Sequence, residues 1–281
     1  VRGNFMVVAG IVLYNPSIDR LKKNIDSVIK QVDKLIVVFN SSKDEINYLF
    51  EDEKIVLVTN ENNLGVAYAL NQIIMKAKSF NAKWCLLLDQ DSIVPNNIIK
   101  KYEEYTGDEK IAIISPTVVD KNAHELSFDK EDQEVLLCIT SGSYINLDIC
   151  ERIGLFNEEF FIDYVDWEYC ARVKENGYKC VRSSSVILDH ELGKISYHKI
   201  LCFEIQTYNH NAFRKYYITR NSILIHKLYP KIKEFSHPYL RIFKRMIIVF
   251  LCENNKIKKV RAISRGIIDA FKLSRENNIS A

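Results

Sequence analysis

Lys83-Trp84-Cys85-Leu86-Leu87-Leu88-Asp89-Gln90-Asp91-Ser92 is the stretch that decides the fold. Its apolar run is too short for a helix and is bounded by polar residues, so it reads as a buried strand. The run ends in two acids separated by one residue. Side chains alternate along a strand, so Asp89 and Asp91 face the same way if extended geometry persists through Gln90. Two carboxylates at the mouth of an α/β sheet pack poorly but suit a hard divalent cation. Mg²⁺ is commonly held by one or two carboxylates, with waters and substrate phosphates completing the octahedron. A strand followed by a plain acidic turn is the alternative, because Asp also favours turns.

Working toward the N-terminus, Met6 to Tyr14 is rich in Val and Ile and stops at Asn15-Pro16, the mark of another buried strand. Ser17 can cap a helix whose stripe is Ile18, Leu21, Ile25, Val28 and Ile29. Leu35 to Phe39 and Ile55 to Val58 are the next strands, ending in Asn40-Ser41-Ser42 and in Asn60-Glu61-Asn62-Asn63-Leu64-Gly65. A helix over Val66 to Ser79 leads into the strand that ends at Asp89. Alternation of this kind implies a parallel sheet with right-handed crossovers, in which ligands bind beyond the carboxyl ends of the strands. Tyr14-Asn15, Asn40-Ser41-Ser42, Asn62-Asn63 and Asp89-Asp91 all fall at such ends, which argues for a nucleotide site. Neither G-x-G-x-x-G nor the Walker A pattern is present, so the site is not a dinucleotide fold or a P-loop.

Beyond Ser92 the pattern is less regular. Ile111 to Ser115 and Leu136 to Thr140 read as strands around a charged loop from Asp120 to Glu134. Ser141-Gly142-Ser143 would let a ligand approach the backbone closely. The segment Phe160-Phe161-Ile162-Asp163-Tyr164-Val165-Asp166-Trp167-Glu168-Tyr169-Cys170-Ala171-Arg172 enters a helix, with Asp166 near its positive end. Val186 to Leu188 is a last strand, ending in Asp189-His190-Glu191-Leu192-Gly193.

Composition sets the bounds. The 281 residues suffice for one large α/β domain or two smaller ones, and 47% apolar with 27% charged residues is ordinary for a soluble protein. Seven cysteines occur without a C-x-x-C pair, which argues against a disulfide framework or zinc knuckle and for a reducing cytoplasm. The longest apolar run, Met246 to Cys252, falls far short of the roughly 20 residues that span a bilayer, and no secretory signal is visible. Charge is unevenly placed: residues 214–281 carry 16 Lys and Arg against 4 Asp and Glu, the remainder 23 against 32. A basic tail on an acidic body suggests an anionic partner, a membrane surface or nucleic acid. Nucleic acid fits badly, since strand-end acids repel phosphate unless a metal intervenes. In the tail Leu240, Phe243, Ile247 and Phe250 share one helical face, with Arg241, Lys244 and Arg245 largely off it. Such a helix lies on a membrane interface, packs on the domain, or forms a homodimer contact.

Taken together, the ordered set Tyr14-Asn15, Asn62-Asn63-Leu64-Gly65 with Asn71, Asp89-Gln90-Asp91, Gly154 to Phe161, Asp166 and His190 resembles the inverting nucleotide-sugar glycosyltransferases of family 2, over roughly residues 6 to 225. Within that family, residues 161–172 and Arg214-Lys215-Tyr216-Tyr217-Ile218-Thr219-Arg220-Asn221 look most like bacterial dTDP-rhamnose-dependent rhamnosyltransferases of surface polysaccharide synthesis. The resemblance implies a GT-A fold, a mostly parallel α/β sheet flanked by helices. Residues 1–213 would be the catalytic domain, nucleotide-binding to about 91 and acceptor-binding after it, and 214–281 a basic helical extension. It implies Mn²⁺ or Mg²⁺ at Asp91 and His190, with the nucleotide-sugar held by Tyr14, Asn15, Asn40, Asn63, Asn71, Asp89, Arg214 and Arg220. Asp166 would be the base, and Ser143 and Trp167 would meet a saccharide or lipid-linked acceptor at the inner leaflet. Many members carry Glu-Asp at the catalytic pair, where this chain has Val165-Asp166. A UDP-hexose or furanosyl transferase of the same fold, or a catalytically silent sugar-nucleotide-binding subunit, are the alternatives.

Overall fold

Four parallel strands carry the first half of the chain. β1 (Val8–Leu13), β2 (Lys34–Phe39), β3 (Ile55–Thr59) and β4 (Trp84–Asp89) are connected by α1 (Ile18–Val28) and α2 (Val66–Ser79) among other segments. The computed structural model describes residues 5–41, 50–119, 131–189, 196–200 and 203–277. α3 (Ile98–Glu103), β5 (Ile111–Val119), β6 (Gln133–Val135), β7 (Ser143–Asn146), α4 (Leu147–Ile153), α5 (Val165–Glu175) and β8 (Lys179–Asp189) follow. They complete an eight-stranded sheet in the order β3-β2-β1-β4-β7-β5-β8-β6. β7 runs antiparallel to both β4 and β5, and β6 antiparallel to β8, while the other pairs are parallel. The architecture is the expected α/β sheet of the GT-A type.

One expected element differs. Leu136 to Thr140 is irregular, and the strands lie on either side of it, at 133–135 and 143–146. A run with only four apolar residues cannot by its periodicity alone be assigned to a strand. Here the following turn sets the register. Gly142, at φ +75°, donates its N–H to Leu87 O at 2.8 Å, and its carbonyl accepts from Tyr102 Oη at 2.8 Å. A side chain at 142 would meet Pro116 at 2.9 Å, so the close approach expected of a ligand is made by the protein itself.

By internal contacts the chain divides into two units, residues 1–161 with 165–191, and residues 162–164 with 192–281. The core of the first unit is built from strand residues such as Ala9, Ile11, Leu35, Val37, Leu86 and Leu88, with Leu21, Ile25 and Val28 of α1 packed on them. The α1 stripe is thus the one read from sequence. The second unit holds β9 (Ser196–Ile200) and β10 (Phe203–Thr207) as a hairpin, then α6 (Ala212–Leu228), α7 (Pro238–Cys252) and α8 (Lys256–Asn277). α6 and α8 approach closely because residue 266 is glycine: a Cβ there would lie 2.7 Å from the Tyr216 carbonyl oxygen. At the centre of this unit Glu253 is buried with two lysines. Lys215 Nζ donates to it at 2.6 Å, Lys259 Nζ at 2.8 Å and Thr207 Oγ1 at 2.7 Å. Burial alone would raise the Glu253 carboxyl, but the two ammonium groups and the hydroxyl outweigh it and hold it below the usual range.

Candidate active site

The parallel strands deliver their carboxyl ends to one edge of the first unit. Leu13 stands beside Phe39, Phe39 beside Thr59, and Asp89 beside Val12. Tyr14, Asn40, Asn60 and Gln90 therefore leave the sheet at nearly one level. Tyr14 is exposed, and its backbone N–H donates to Gln90 Oε1 at 2.8 Å. Asn15 takes a left-handed φ of 48°, which Asn tolerates better than most residues.

The acidic pair sits at this edge, with a geometry that corrects the simple extended reading. β4 stops at Asp89; residues 90 and 91 turn, and Ser92 N donates to Asp89 O at 3.3 Å. Two side chains of α1 hold the turn. Asn24 Nδ2 donates to Asp89 O and Arg20 Nε to Asp91 O, each at 2.6 Å. Ser92 Oγ, buried, is hydrogen-bonded to Ser141 Oγ. Both carboxylates remain half-buried on a fixed turn. They are hard oxygen donors, and the pair fits Mg²⁺ or Mn²⁺, which need few protein ligands when a diphosphate supplies the rest. His190, the third ligand expected, lies outside the described residues, as does Ser42.

Asn40, Asn63 and Asn71, three of the asparagines expected to touch nucleotide, are bonded within the fold. Asn40, buried, donates to Asn63 Oδ1 at 2.9 Å and to Gly65 O at 3.0 Å, and accepts from Leu64 N at 3.0 Å. Asn63 Oδ1 also accepts from Gly65 N at 3.0 Å. Gly65 has φ +94°, and a Cβ there would lie 2.8 Å from Phe161 O. Asn71 spans to the segment before α5, donating to Phe156 O at 2.9 Å and Glu158 Oε1 at 2.8 Å and accepting from Phe156 N at 2.9 Å. The Asn-rich stretch thereby fixes the shape of the strand-end loops. The sequence reading missed Arg20 and Asn24, which hold the Asp89–Asp91 turn. Asn24 had a signal: it is a polar residue on the buried face of α1.

Asp166 occupies the first turn of α5, where the helix dipole favours an anion, and its Oδ1 accepts from Trp167 N at 2.9 Å. It lines a small cavity of about 10 Å³, roughly one water, together with Thr140, Ser143, Phe156, Tyr169 and Cys138. Ser143 is buried and its Oγ donates to Ile139 O at 2.5 Å. Trp167 is half-buried. Glu168 is engaged elsewhere, in a two-pronged pair with Arg172 at 2.8 and 3.2 Å, while Arg172 Nη1 donates to Ile153 O. Contact with Cys138, together with burial, holds the Cys170 thiol beside this cavity well above its usual range.

In the second unit, Asp163 and Tyr164 take left-handed φ values of 62° and 66°, an uncommon conformation for residues with side chains. Asn221 Nδ2 secures them by donating to the carbonyls of Ile162 and Asp163, both at 2.8 Å. Arg214 pairs with both carboxylate oxygens of Asp163 at 2.9–3.1 Å. Arg220 is buried, donates to Asn221 Oδ1 at 2.9 Å and lies over the Tyr217 ring at 4.7 Å. Both arginines thus have defined partners inside this unit.

The sequence pattern of glycosyl transferase family 2 matches residues 9–163, a span that begins within β1 and runs through β4 and the strand-end loops. The chain belongs to this family. The match stops three residues before Asp166. A dTDP-rhamnosyl transferase, RfbF, of Shigella flexneri is 29% identical over 240 residues, 79% of this chain and 80% of that one. Among solved structures the transferase resembles GalNAc-T7, crystallised with UDP, GalNAc and Mn²⁺. The TM-score is 0.63 at 13% identity, over 92% of this chain and 54% of that one. It also resembles residues 1–349 of S. aureus TarS in complex with UDP-GlcNAc, with a TM-score of 0.60 at 14% identity over 93% and 81% of the two chains. At such identities these two structures speak to the shared fold.

Proposed function

We propose that the transferase moves L-rhamnose from dTDP-L-rhamnose, with inversion, to a saccharide or lipid-linked acceptor in cell-surface polysaccharide synthesis. The observation that carries the reading is the carboxylate of Asp166, set at a helix N-terminus beside a water-sized cavity in the unit that also holds Asp89 and Asp91. The acceptor oxygen attacks the anomeric carbon from the face opposite the diphosphate. As that bond forms, the bond to the diphosphate breaks, its electron pair leaves with dTDP, and the hydroxyl proton passes to Asp166. A carboxylate suffices as base because the hydroxyl becomes strongly acidic only as the new bond forms. Asp91 and Asp89 are the residues that would hold Mn²⁺ or Mg²⁺, a Lewis acid that offsets charge on the departing diphosphate. Asn40, Asn63 and Asn71 act through the loops they fix, and Glu168 keeps α5 in place through Arg172.

The choice of donor rests on the Shigella relative and on the residues around 161–172 and 214–221. A screen of purified protein against dTDP-rhamnose, UDP-glucose, UDP-galactose and UDP-GlcNAc, reading sugar release or transfer, decides it. Preference for dTDP-rhamnose is expected; turnover of a UDP-sugar alone would replace it with the UDP-hexose reading, and turnover of none would favour the silent subunit. We further propose that the enzyme works at the cytoplasmic face of the membrane, docked through α7. Leu240, Phe243, Ile247 and Phe250 of that helix are 42–67% exposed. No helix among the described residues is long and apolar enough to cross a membrane.

A further inference from the structure

Seven cysteines scattered without a C-x-x-C pair give no local sign of a metal site, yet folding gathers three of them. Cys138 in the irregular segment after β6, Cys170 on α5 and Cys180 at the start of β8 place their sulfurs within 4.8 Å of one another. The Cys138 and Cys170 sulfurs are 3.4 Å apart. Cys170 and Cys180 are buried and Cys138 half-buried. Around a tetrahedral ion with Zn–S bonds of about 2.3 Å, sulfurs stand about 3.8 Å apart. The 3.4 Å pair and the 4.8 Å bound on the other two bracket that spacing. Cys138 and Cys170 also line the cavity beside Asp166, which has room for about one water. Cysteines can serve as small apolar residues, but apolar packing gives no reason for three segments to aim their sulfurs at one point.

We infer that Cys138, Cys170 and Cys180 form a binding site for a thiophilic d¹⁰ cation, Zn²⁺ in the first instance, with three thiolates as ligands and a water in the adjoining cavity as the fourth. Each thiol gives up its proton to solvent on binding. The site is chemically separate from the Asp89–Asp91 pair, because sulfur donors select soft ions and carboxylates select hard ones. It ties together the irregular segment 136–142, β8 and α5. Asp166 and Cys170 are one helical turn apart on the same face of α5, so the clip anchors the base-bearing turn without touching substrate.

The test uses the full-length protein, purified and fully reduced, titrated with Co²⁺ and followed by absorption. A thiolate-to-cobalt charge-transfer band with tetrahedral d–d bands, saturating at one equivalent, is expected. Zn²⁺ should bleach these bands, and a large excess of Mn²⁺ should not. Cys138→Ser, Cys170→Ala and Cys180→Ala should each lose the band, and Cys252→Ser, in α7, should keep it. Cys138 is the most accessible of the three, so its serine variant is the one best able to fold, as circular dichroism would show. Zn²⁺ should raise the melting temperature of the wild type and leave that of Cys138→Ser unchanged. A folded, reduced wild type with no charge-transfer band, or a band that survives in folded Cys138→Ser, overturns the proposal.

Discussion

In the proposed reaction Asp91 and Asp166 would carry separable duties, and single substitutions should pull them apart. Asp91 is fixed by its own turn, whose carbonyl Arg20 holds at 2.6 Å, so replacing its side chain leaves the loop standing. Calorimetry should find that Mn²⁺ strengthens dTDP binding to wild type, and that Asp91→Ala loses this dependence. Equal affinity with and without metal in both proteins would remove Asp91 from the cation. Asp166→Asn keeps the shape of the side chain and an oxygen for Trp167 N, but removes the proton acceptor. It should fold and bind donor normally while transfer falls about 10²–10⁴-fold. Near-normal transfer would move the base elsewhere. Glu168 is an unsuitable replacement, since both its oxygens are committed to Arg172. Which acids stand at element ends was legible in the chain; which acid is already paired was not. Asp163 and Glu168, the weaker candidates for the base in the sequence, are paired with Arg214 and Arg172.

At the scale of elements, α7 shows how periodicity gives a face but not its destination. Ile242 and Val249 turn inward, while Phe243 and Phe250, 61% and 67% exposed, turn outward with Leu240 and Ile247. Large apolar residues in a row on a surface mark an interaction site more often than chance exposure. The surrounding lysines and arginines suit an anionic bilayer, at about 1 kcal/mol for each basic residue near it. Co-sedimentation with phosphatidylglycerol vesicles should fall in high salt and fall further in an Arg241→Glu/Lys244→Glu variant. Arg245 is left intact because its Nη2 donates to Tyr164 Oη at 3.3 Å. If neither salt nor charge reversal changes the bound fraction, the stripe belongs to a homodimer contact, which sedimentation velocity of Phe243→Ser would then reveal.

Across the whole molecule, charge is split between an acidic body and a basic end, and a histidine just before that end should govern the acid sensitivity of the second unit. Burial, with Arg214 nearby, pulls His210 down to about 4, only partly opposed by Asp163 and Glu253. An unfolded histidine titrates near 6.5, so between about pH 6.5 and 4 the unfolded chain binds the extra proton. Stability of the second unit therefore falls as pH drops through that window and is unaffected by this group above it. Hydrogen-exchange protection of α6 and α7 amides, corrected for intrinsic rates, should decline from pH 7 to 5 in wild type and decline less in His210→Gln. An identical decline in both would assign the sensitivity to other groups. Breaking the buried cluster is a harsher change. Glu253→Ala leaves Lys215 and Lys259 buried without their carboxylate and should cost about 3–5 kcal/mol.

The chain by itself determined whatever depends on near neighbours. The Val- and Leu-rich runs ending in polar residues specify β1 to β4, the 3.6-residue stripe specifies α1, and parallel connection then forces every strand-end polar group to one edge. That is why the family and the Asp89–Asp91 edge were legible in one dimension. Tertiary structure decided what depends on partners far away in sequence. Leu136–Thr140 became irregular because Gly142 bonds to Leu87 and Tyr102. Asn40 and Asn71 became braces because backbone groups at 64, 65 and 156 came within 3.0 Å of them. Three cysteines with no shared spacing became one cluster. Hydrogen bonds and metal-ligand geometry act over a few ångströms of space, and only the folded chain sets which residues lie within that reach.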